Sequence, residues 1–244
     1  MSANDPAPSA EVAEQLASLA RRYGLGASAL AQLADLLGML ATDPNAPTSI
    51  REPTRIAMDH LADSLVGLEL PAVGEASAIG DIGSGAGLPG LPLAFALPAA
   101  HVWLVESSAP KCRFLSDAAT RCGATNATVV HTRVEEWQAG HCSCDLVTVR
   151  AVAPLEVVAE YAAPLLRIGG SLVAWRGRRD AEAESAANRA AAVLGLEAYT
   201  PIAVQPYEAA VHRHLHVMRK VRETPPRFPR RPGMARKRPL GGAA

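Results

Sequence analysis

The sequence predicts an α/β fold built on a mainly parallel sheet, and three observations carry that expectation. From residue 78 onward, short β-rich runs alternate with helical stretches, a pattern that requires crossover connections and hence parallel strands. An apolar run ending in an acid, Ala78-Ile79-Gly80-Asp81-Ile82, breaks into glycines at positions 83, 85 and 87. Hydrophobic residues fill 49% of 244 positions, enough core for one α/β domain with additions.

Seven strands are expected: Ala78–Ile82, His101–Val105, Thr128–His131, Asp145–Val149, Ser171–Trp175, Ala198–Val204 and His214–Met218. Between them, Pro110–Cys122 carries Phe114, Leu115, Ala118 and Ala119 on one helical face and stops at Gly123. A helix near Leu155–Leu166 stops at Gly169-Gly170, and another opens at Asp180, a good N-cap, and ends at Gly195. Residues 1–10, rich in Ala, Pro and Ser, are expected to be disordered. Residues 11–72 read as a helical extension of three segments, marked by Val12/Leu16/Leu19/Tyr23, Leu30/Leu33/Leu37/Leu40 and Ala57/Leu61/Leu65/Leu68. The main domain then spans 73–220. The last stretch, 221–244, is Pro, Arg and Gly in irregular order; it cannot build a core and is expected to be extended or disordered when free.

The glycine run is how a buried strand hands over to a helix while leaving backbone N–H groups bare. Glycine allows φ > 0 and lets a ligand approach closer than a Cβ permits; Pro89 suits the first helical turn. Two spacings coexist. From Gly83 the pattern is G-x-G-x-G after the acid Asp81, as expected where S-adenosylmethionine binds. From Gly85 it is G-x-G-x-x-G, a dinucleotide fingerprint.

Several classes are excluded. The N-terminus lacks the basic and apolar regions of a signal peptide, and prolines 89, 92 and 98 break the most apolar stretch, so a cytoplasmic protein is expected. Cys112, Cys122, Cys142 and Cys144 are too few and too irregular for a disulfide framework. His141-Cys142-Ser143-Cys144 lacks metal-ligand spacing and reads as a solvent loop with free thiols. The zero net charge hides a segregation: from Arg219 on there are nine basic residues against one acid, so the tail is +8 and the remainder −8. An acidic body with a basic arm suggests a nucleic-acid partner.

In an open α/β sheet, ligands sit outside the carboxyl ends of the strands. Glu106 closes the second expected strand about 20 residues past the glycines, where a carboxylate can accept both ribose hydroxyls. Glu135 follows the third and can take an adenine amino group, although an acid there also simply opens a helical turn. After the fourth comes Arg150-Ala151-Val152-Ala153-Pro154, with neither the Asn/Asp-Pro-Pro-aromatic acceptor of amine methylation nor the cysteine of ring-carbon methylation.

At these residues the chain resembles a known family. Asp81-IGSGAGLPGLPL-Ala94, Leu104-Val105-Glu106-Ser107, Lys111-Cys112-Arg113-Phe114-Leu115, Arg133-Val134-Glu135-Glu136 and Val149-Arg150-Ala151-Val152-Ala153 are similar to RsmG (GidB), the 16S ribosomal RNA guanine-N7 methyltransferases. Thr48-Ser49-Ile50-Arg51, His60-Leu61-Ala62-Asp63-Ser64-Leu65, Arg213-His214-Leu215 and Phe228-Pro229-Arg230-Arg231-Pro232-Gly233 extend the likeness over residues 45–240. The resemblance implies a Rossmann-like class I S-adenosylmethionine-dependent methyltransferase with a mainly parallel seven-stranded sheet. It implies cofactor contacts at Gly83, with Gly85 in the same turn, Leu88, Glu106, Val134, Glu135 and Arg150. One departure is Trp175-Arg176-Gly177, where the family commonly has Lys-Gly, so a lysine role would pass to Arg176.

Guanine N7 carries a free lone pair, so no general base is expected and no catalytic residue is assigned; Arg176 or His60 is the candidate for orienting the base. His60, Asp63 and Ser64 share one helix and read as a local polar cluster rather than a hydrolytic triad. The expected partner is 16S rRNA in the small ribosomal subunit, held by Arg51, Arg176, Arg213 and the arm residues Arg230, Arg231, Arg236, Lys237 and Arg238. On this reading the arm serves RNA alone, its removal leaves cofactor binding intact, no metal is needed and the chain is a monomer. The competing readings are an NAD-dependent oxidoreductase, for which no suitably placed proton donor is found, and a non-catalytic RNA-binding subunit.

Overall fold

Strand β1, Ala78–Ile82, is buried along nearly its whole length because helices cover both faces of the sheet it centres. The computed structural model describes residues 9–241. Around β1 run β2 (His101–Glu106), β3 (Ala127–His131), β4 (Cys144–Arg150), β5 (Leu166–Arg176), β6 (Leu196–Ala198), β7 (Ile202–Val204) and β8 (Arg213–Lys220). The order is β3-β2-β1-β4-β5-β8-β6, with β7 also pairing β8. The first five strands pair in parallel, while β8 runs antiparallel to β5, β6 and β7. Strand order reverses between β2-β1 and β1-β4, so the switch point lies at the end of β1, at the glycine turn.

The described sheet has eight strands where seven are expected. The run Ala198–Val204 forms two short pieces that share one edge of β8, parted around Pro201, which has no N–H to give the ladder. β5 begins five residues earlier than expected, and the helix before it stops at Ala162. Pro164 ends that helix. Gly169, at φ +88°, then carries the chain through a register shift against β4.

The N-terminal helices grow from the predicted stripes. α1 (Ala10–Tyr23) is capped by the Ser9 side chain and ends at Gly24 in the left-handed region; α2 (Ala27–Thr42) buries Leu33, Leu36, Leu37 and Leu40. The expectation for residues 1–10 therefore fails at its last two positions, and residues 1–8 lie outside the described part. The third segment starts at Pro53–Arg55 under a Glu52 cap, loosens into a π-helical stretch, Ile56–Ala62, and closes as Asp63–Leu65. Such widened turns concentrate at functional sites.

Two apolar clusters sandwich the sheet. One joins Val12, Leu33, Leu61 and Leu65 of the extension to Ile79, Val102, Leu104, Leu146 and Trp175. The other packs Val158, Ala162, Ala187 and Leu194 under Ile82, Val147 and Leu172, and includes Phe228 and Ala235 from the C-terminal segment. That segment is docked rather than extended. Its Arg230 donates to both carboxylate oxygens of Glu160, which is 1% exposed, and a buried carboxylate needs such a partner.

Candidate active site

The turn after β1 holds its shape through backbone bonds that only its sequence allows. Gly83 N and Ser84 N both donate to Val105 O, at 2.8 and 3.2 Å, and the Ser84 hydroxyl donates to Asp81 O at 2.8 Å. Gly83, Gly85 and Gly87 adopt φ of +68°, +56° and +83°, which L side chains rarely tolerate. A Cβ on Gly83 would also lie 2.5 Å from Val152 Cγ2. Pro89 stands as the N-cap of the Gly90–Ala96 helix, one place earlier than its reading as a first-turn residue. Asp81 is buried beneath the turn, its Oδ1 accepting from Thr148 Oγ1 at 2.8 Å, and burial pushes its carboxyl up to about 6. This acid fastens β1 to β4 rather than meeting a ligand.

Glu106 ends β2 with its carboxylate turned back onto the glycines. Oε1 accepts from Ser107 N and Ser108 N, both at 2.8 Å, and Oε2 accepts from Gly85 N at 3.2 Å. The side chain is therefore fixed before any ligand arrives. Glu106, Gly83, Val134, Glu135 and Val152 line one cavity of about 100 Å³, together with Tyr161 and Arg236. Glu135 belongs to a single helical turn, Val134–Glu136, and its Oε1 accepts from Gly233 N at 3.0 Å.

A second cavity, of about 590 Å³, opens on the other side of the loop after β4 and is lined by Asp59, His60, Asp63, Arg150, Arg176 and Arg213, among others. Its centre is Asp63, which is 5% exposed. Asp63 Oδ2 accepts from Arg150 Nη1 at 2.9 Å and Oδ1 from Arg213 Nε at 3.0 Å, while its carbonyl takes Trp175 Nε1–H at 2.7 Å. His60 Nδ1 lies 3.5 Å from Arg150 Nη2 and Nε2 lies 2.8 Å from Thr48 Oγ1. Arginine can only donate, so Nδ1 accepts and Nε2 carries the proton. Burial, and then the neighbouring Arg150 charge, lower the pKa of His60, which keeps the ring neutral. Ala151, at φ +56°, sits where the two cavities adjoin, in a conformation a non-glycine residue adopts only under constraint.

The structure thus gathers Gly83, Glu106, Val134 and Glu135 around one cavity and Arg176, Arg213 and His60 around the other. Arg150 also stands in the second, apart from the cofactor contacts it was expected to join, because Asp63 draws its guanidinium away. Leu88 lines neither and packs in the apolar cluster below the turn. Arg51 is turned inward: its guanidinium donates to the carbonyls of Leu40, Asp43 and Ala46, closing the C-terminal end of α2 instead of facing RNA. Arg230 is consumed by Glu160, and Arg236 donates to Val152 O at 2.8 Å. Arg231, Lys237 and Arg238 stay exposed, and Arg176 donates to Ala153 O at 3.0 Å. Ser64 donates to the His60 carbonyl, as a local cluster would. Cys142 is exposed, but Cys144 is buried as the first residue of β4, so only one of the two thiols faces solvent.

Asp63 is the residue that sequence reasoning missed. Its partners stand 87 and 150 positions away, and nothing in a helical stripe reports contacts at that range. The one local signal was an acid set between Leu61 and Leu65 of the apolar stripe.

Known proteins place the chain. The sequence matches the family model described as GidB, rRNA small subunit methyltransferase G, over residues 27–215. It is 39% identical over 198 residues to the ribosomal RNA small subunit methyltransferase G of Synechococcus elongatus, covering 80% of this chain and 82% of that protein. It is 40% identical to the protein of the same name from Rubrobacter xylanophilus, over 79% of this chain and 76% of the relative. Among solved structures, an S-adenosylmethionine-dependent methyltransferase from Aquifex aeolicus superposes with a TM-score of 0.53 at 12% identity, over 70% of this chain and 94% of that one. The fibrillarin pre-rRNA processing protein of Methanococcus jannaschii gives 0.52 at 17% identity, over 66% and 74%. Those two likenesses speak for the fold alone. With the family model spanning most of its length and close relatives agreeing, the chain belongs to the rRNA small subunit methyltransferase G family.

Proposed function

We propose that this protein transfers the methyl group of S-adenosylmethionine to N7 of a guanine in 16S rRNA, with the cofactor's adenosine in the smaller cavity and the base in the larger. The observation that carries the reading is Glu106, a carboxylate fixed by three backbone N–H groups beside a glycine turn whose bare backbone no Cβ could replace. A ribose offers two hydroxyl donors, which suits such a preset acceptor. Glu135 and Val134 offer a carboxylate oxygen and an apolar face to adenine. The residues fit the cofactor chemically. When bound, it supplies an already activated sulfonium methyl.

What remains for the protein is positioning. Guanine N7 has its lone pair in the plane of the ring, so no residue need remove a proton beforehand, and neutral His60 is not required as a base. Arg150 and Arg213, pinned by Asp63, and Arg176 line the larger cavity as donors suited to O6 or phosphate oxygens. Holding nucleophile and methyl in line can lower a barrier by roughly 7–11 kcal/mol. Among the described residues, no helix is long and apolar enough to cross a membrane, which agrees with a ribosomal substrate.

The test is to incubate the protein with radiolabelled S-adenosylmethionine and small ribosomal subunits lacking the modification, then cleave the RNA at 7-methylguanine. Label at one guanine, with strand scission there, is the expected result. Label without scission would move the acceptor atom away from N7.

A further inference from the structure

The smaller cavity presents a conflict of size. Pockets that hold a ligand of nucleoside dimensions run to roughly 300 Å³ and more, whereas the space between Glu106 and Glu135 is about 100 Å³. The C-terminal segment borders this space, with Arg236 among its lining residues. Gly233 N donates to Glu135, the residue read as the adenine acceptor. Arg236 reaches across to Val152 O at 2.8 Å and lines the cavity together with Tyr161, so one side chain ties the segment to the cavity wall.

The segment is anchored on both sides of the cavity, by Phe228 and Arg230 before it and by Leu240 and Gly241 after it. Phe228 is buried and Arg230 is locked to Glu160, a charge-assisted pair out of water. Beyond it, Gly233 stands at φ +81° before the short turn Met234–Lys237, where Ala235 is buried in the core and Arg238 O accepts from Arg230 Nη2. Over the cavity the polar links are Gly233 N to Glu135 and Arg236 to Val152 O. Arg231, Lys237 and Arg238, exposed on the same segment, are free to meet phosphate.

We propose that residues 231–238 form a lid over the cofactor cavity, latched by Arg236 to Val152 O, and that the cofactor arrives and leaves only when this latch opens. The inference rests on placing adenosine between Glu106 and Glu135. Two consequences follow. The basic tail is part of the cofactor site and not solely an RNA arm. RNA held by Arg231, Lys237 and Arg238 also bears on the segment that controls cofactor exchange.

The probe is S-adenosylhomocysteine, followed by stopped-flow association and by chase from the full-length protein. Arg236→Ala is expected to speed both association and release, with release at least about tenfold faster, since a latch slows passage in both directions. Lys237→Ala removes the same charge from the same turn without touching the cavity and is expected to leave both rates within about twofold. Amides 233–238 of the wild type are expected to gain hydrogen-exchange protection when the probe binds. Release from Arg236→Ala within twofold of wild type would overturn the latch. So would faster association with unchanged release, which would make the segment a plug that the cofactor displaces. If the probe binds and Glu106→Ala does not weaken it, the cofactor placement itself has failed, an outcome separate from either.

Discussion

The two cavities beside the loop after β4 are built in opposite ways. The smaller one takes its polar groups from strand ends and backbone: Glu106 is held by three N–H groups within two residues of itself or in the adjacent turn. The larger one takes its polar groups from side chains brought from three distant places, with Asp63 of the extension joining Arg150 of β4 to Arg213 of β8. The first arrangement binds a constant ligand with parts that cannot move independently. The second presents fixed cations around an open space, which suits a substrate that brings its own bulk and charge.

That contrast can be broken most decisively at Glu106. Glu106→Ala orphans three N–H groups and removes the carboxylate proposed to accept the ribose hydroxyls. S-adenosylhomocysteine affinity in calorimetry is expected to fall by a hundredfold or more, and thermal stability by about 3 kcal/mol. An unchanged affinity would dissolve the backbone-built site.

The next test lies beneath the same turn and concerns pH. Burial raises Asp81 to about 6 from 3.8, so the folded chain holds a proton that the unfolded chain releases. The resulting stabilisation is full below pH 4 and is lost as pH rises through 6. Denaturant melts of wild type are expected to lose about 3 kcal/mol relative to Asp81→Asn between pH 4 and 7. Parallel profiles would place the ionised acid comfortably in the core.

On the other side, Asp63→Asn keeps the shape but leaves Arg150 and Arg213 without their shared anion. Methylation of small subunits is expected to fall about tenfold, with S-adenosylhomocysteine affinity unchanged. A matching loss of affinity would mean that the two cavities are one. The smallest effect is expected at Arg51, where alanine removes bonds to three carbonyls and costs about 1 kcal/mol in thermal melts. The salt slope of RNA binding, near −0.7 per phosphate contact, should stay as it was.

Legibility followed the same division. Strand ends are local features: Gly83, Glu106 and Glu135 could be expected near one another because each follows a strand of the same parallel sheet, and they do line one cavity. The larger cavity depends on which helix face meets which strand. Arg51, Arg230 and Arg236 read as RNA-binding cations because a sequence does not show that a helix end, Glu160 or Val152 O stands waiting for them. The docked tail escaped for the same reason. Its Pro-Arg-Gly composition says only that it cannot build a core of its own, and Phe228 borrows one.

Trp175 has a further consequence. Its ring occupies the space where a Cβ on Gly67 would stand, 2.4 Å away, and its indole N–H is capped by the residue that also neutralises two arginines. The N-terminal helices are therefore not a removable appendage. A fragment beginning near residue 73 would keep the glycine turn yet expose a tryptophan and two uncompensated cations, so truncation would dismantle the larger cavity while sparing the turn after β1.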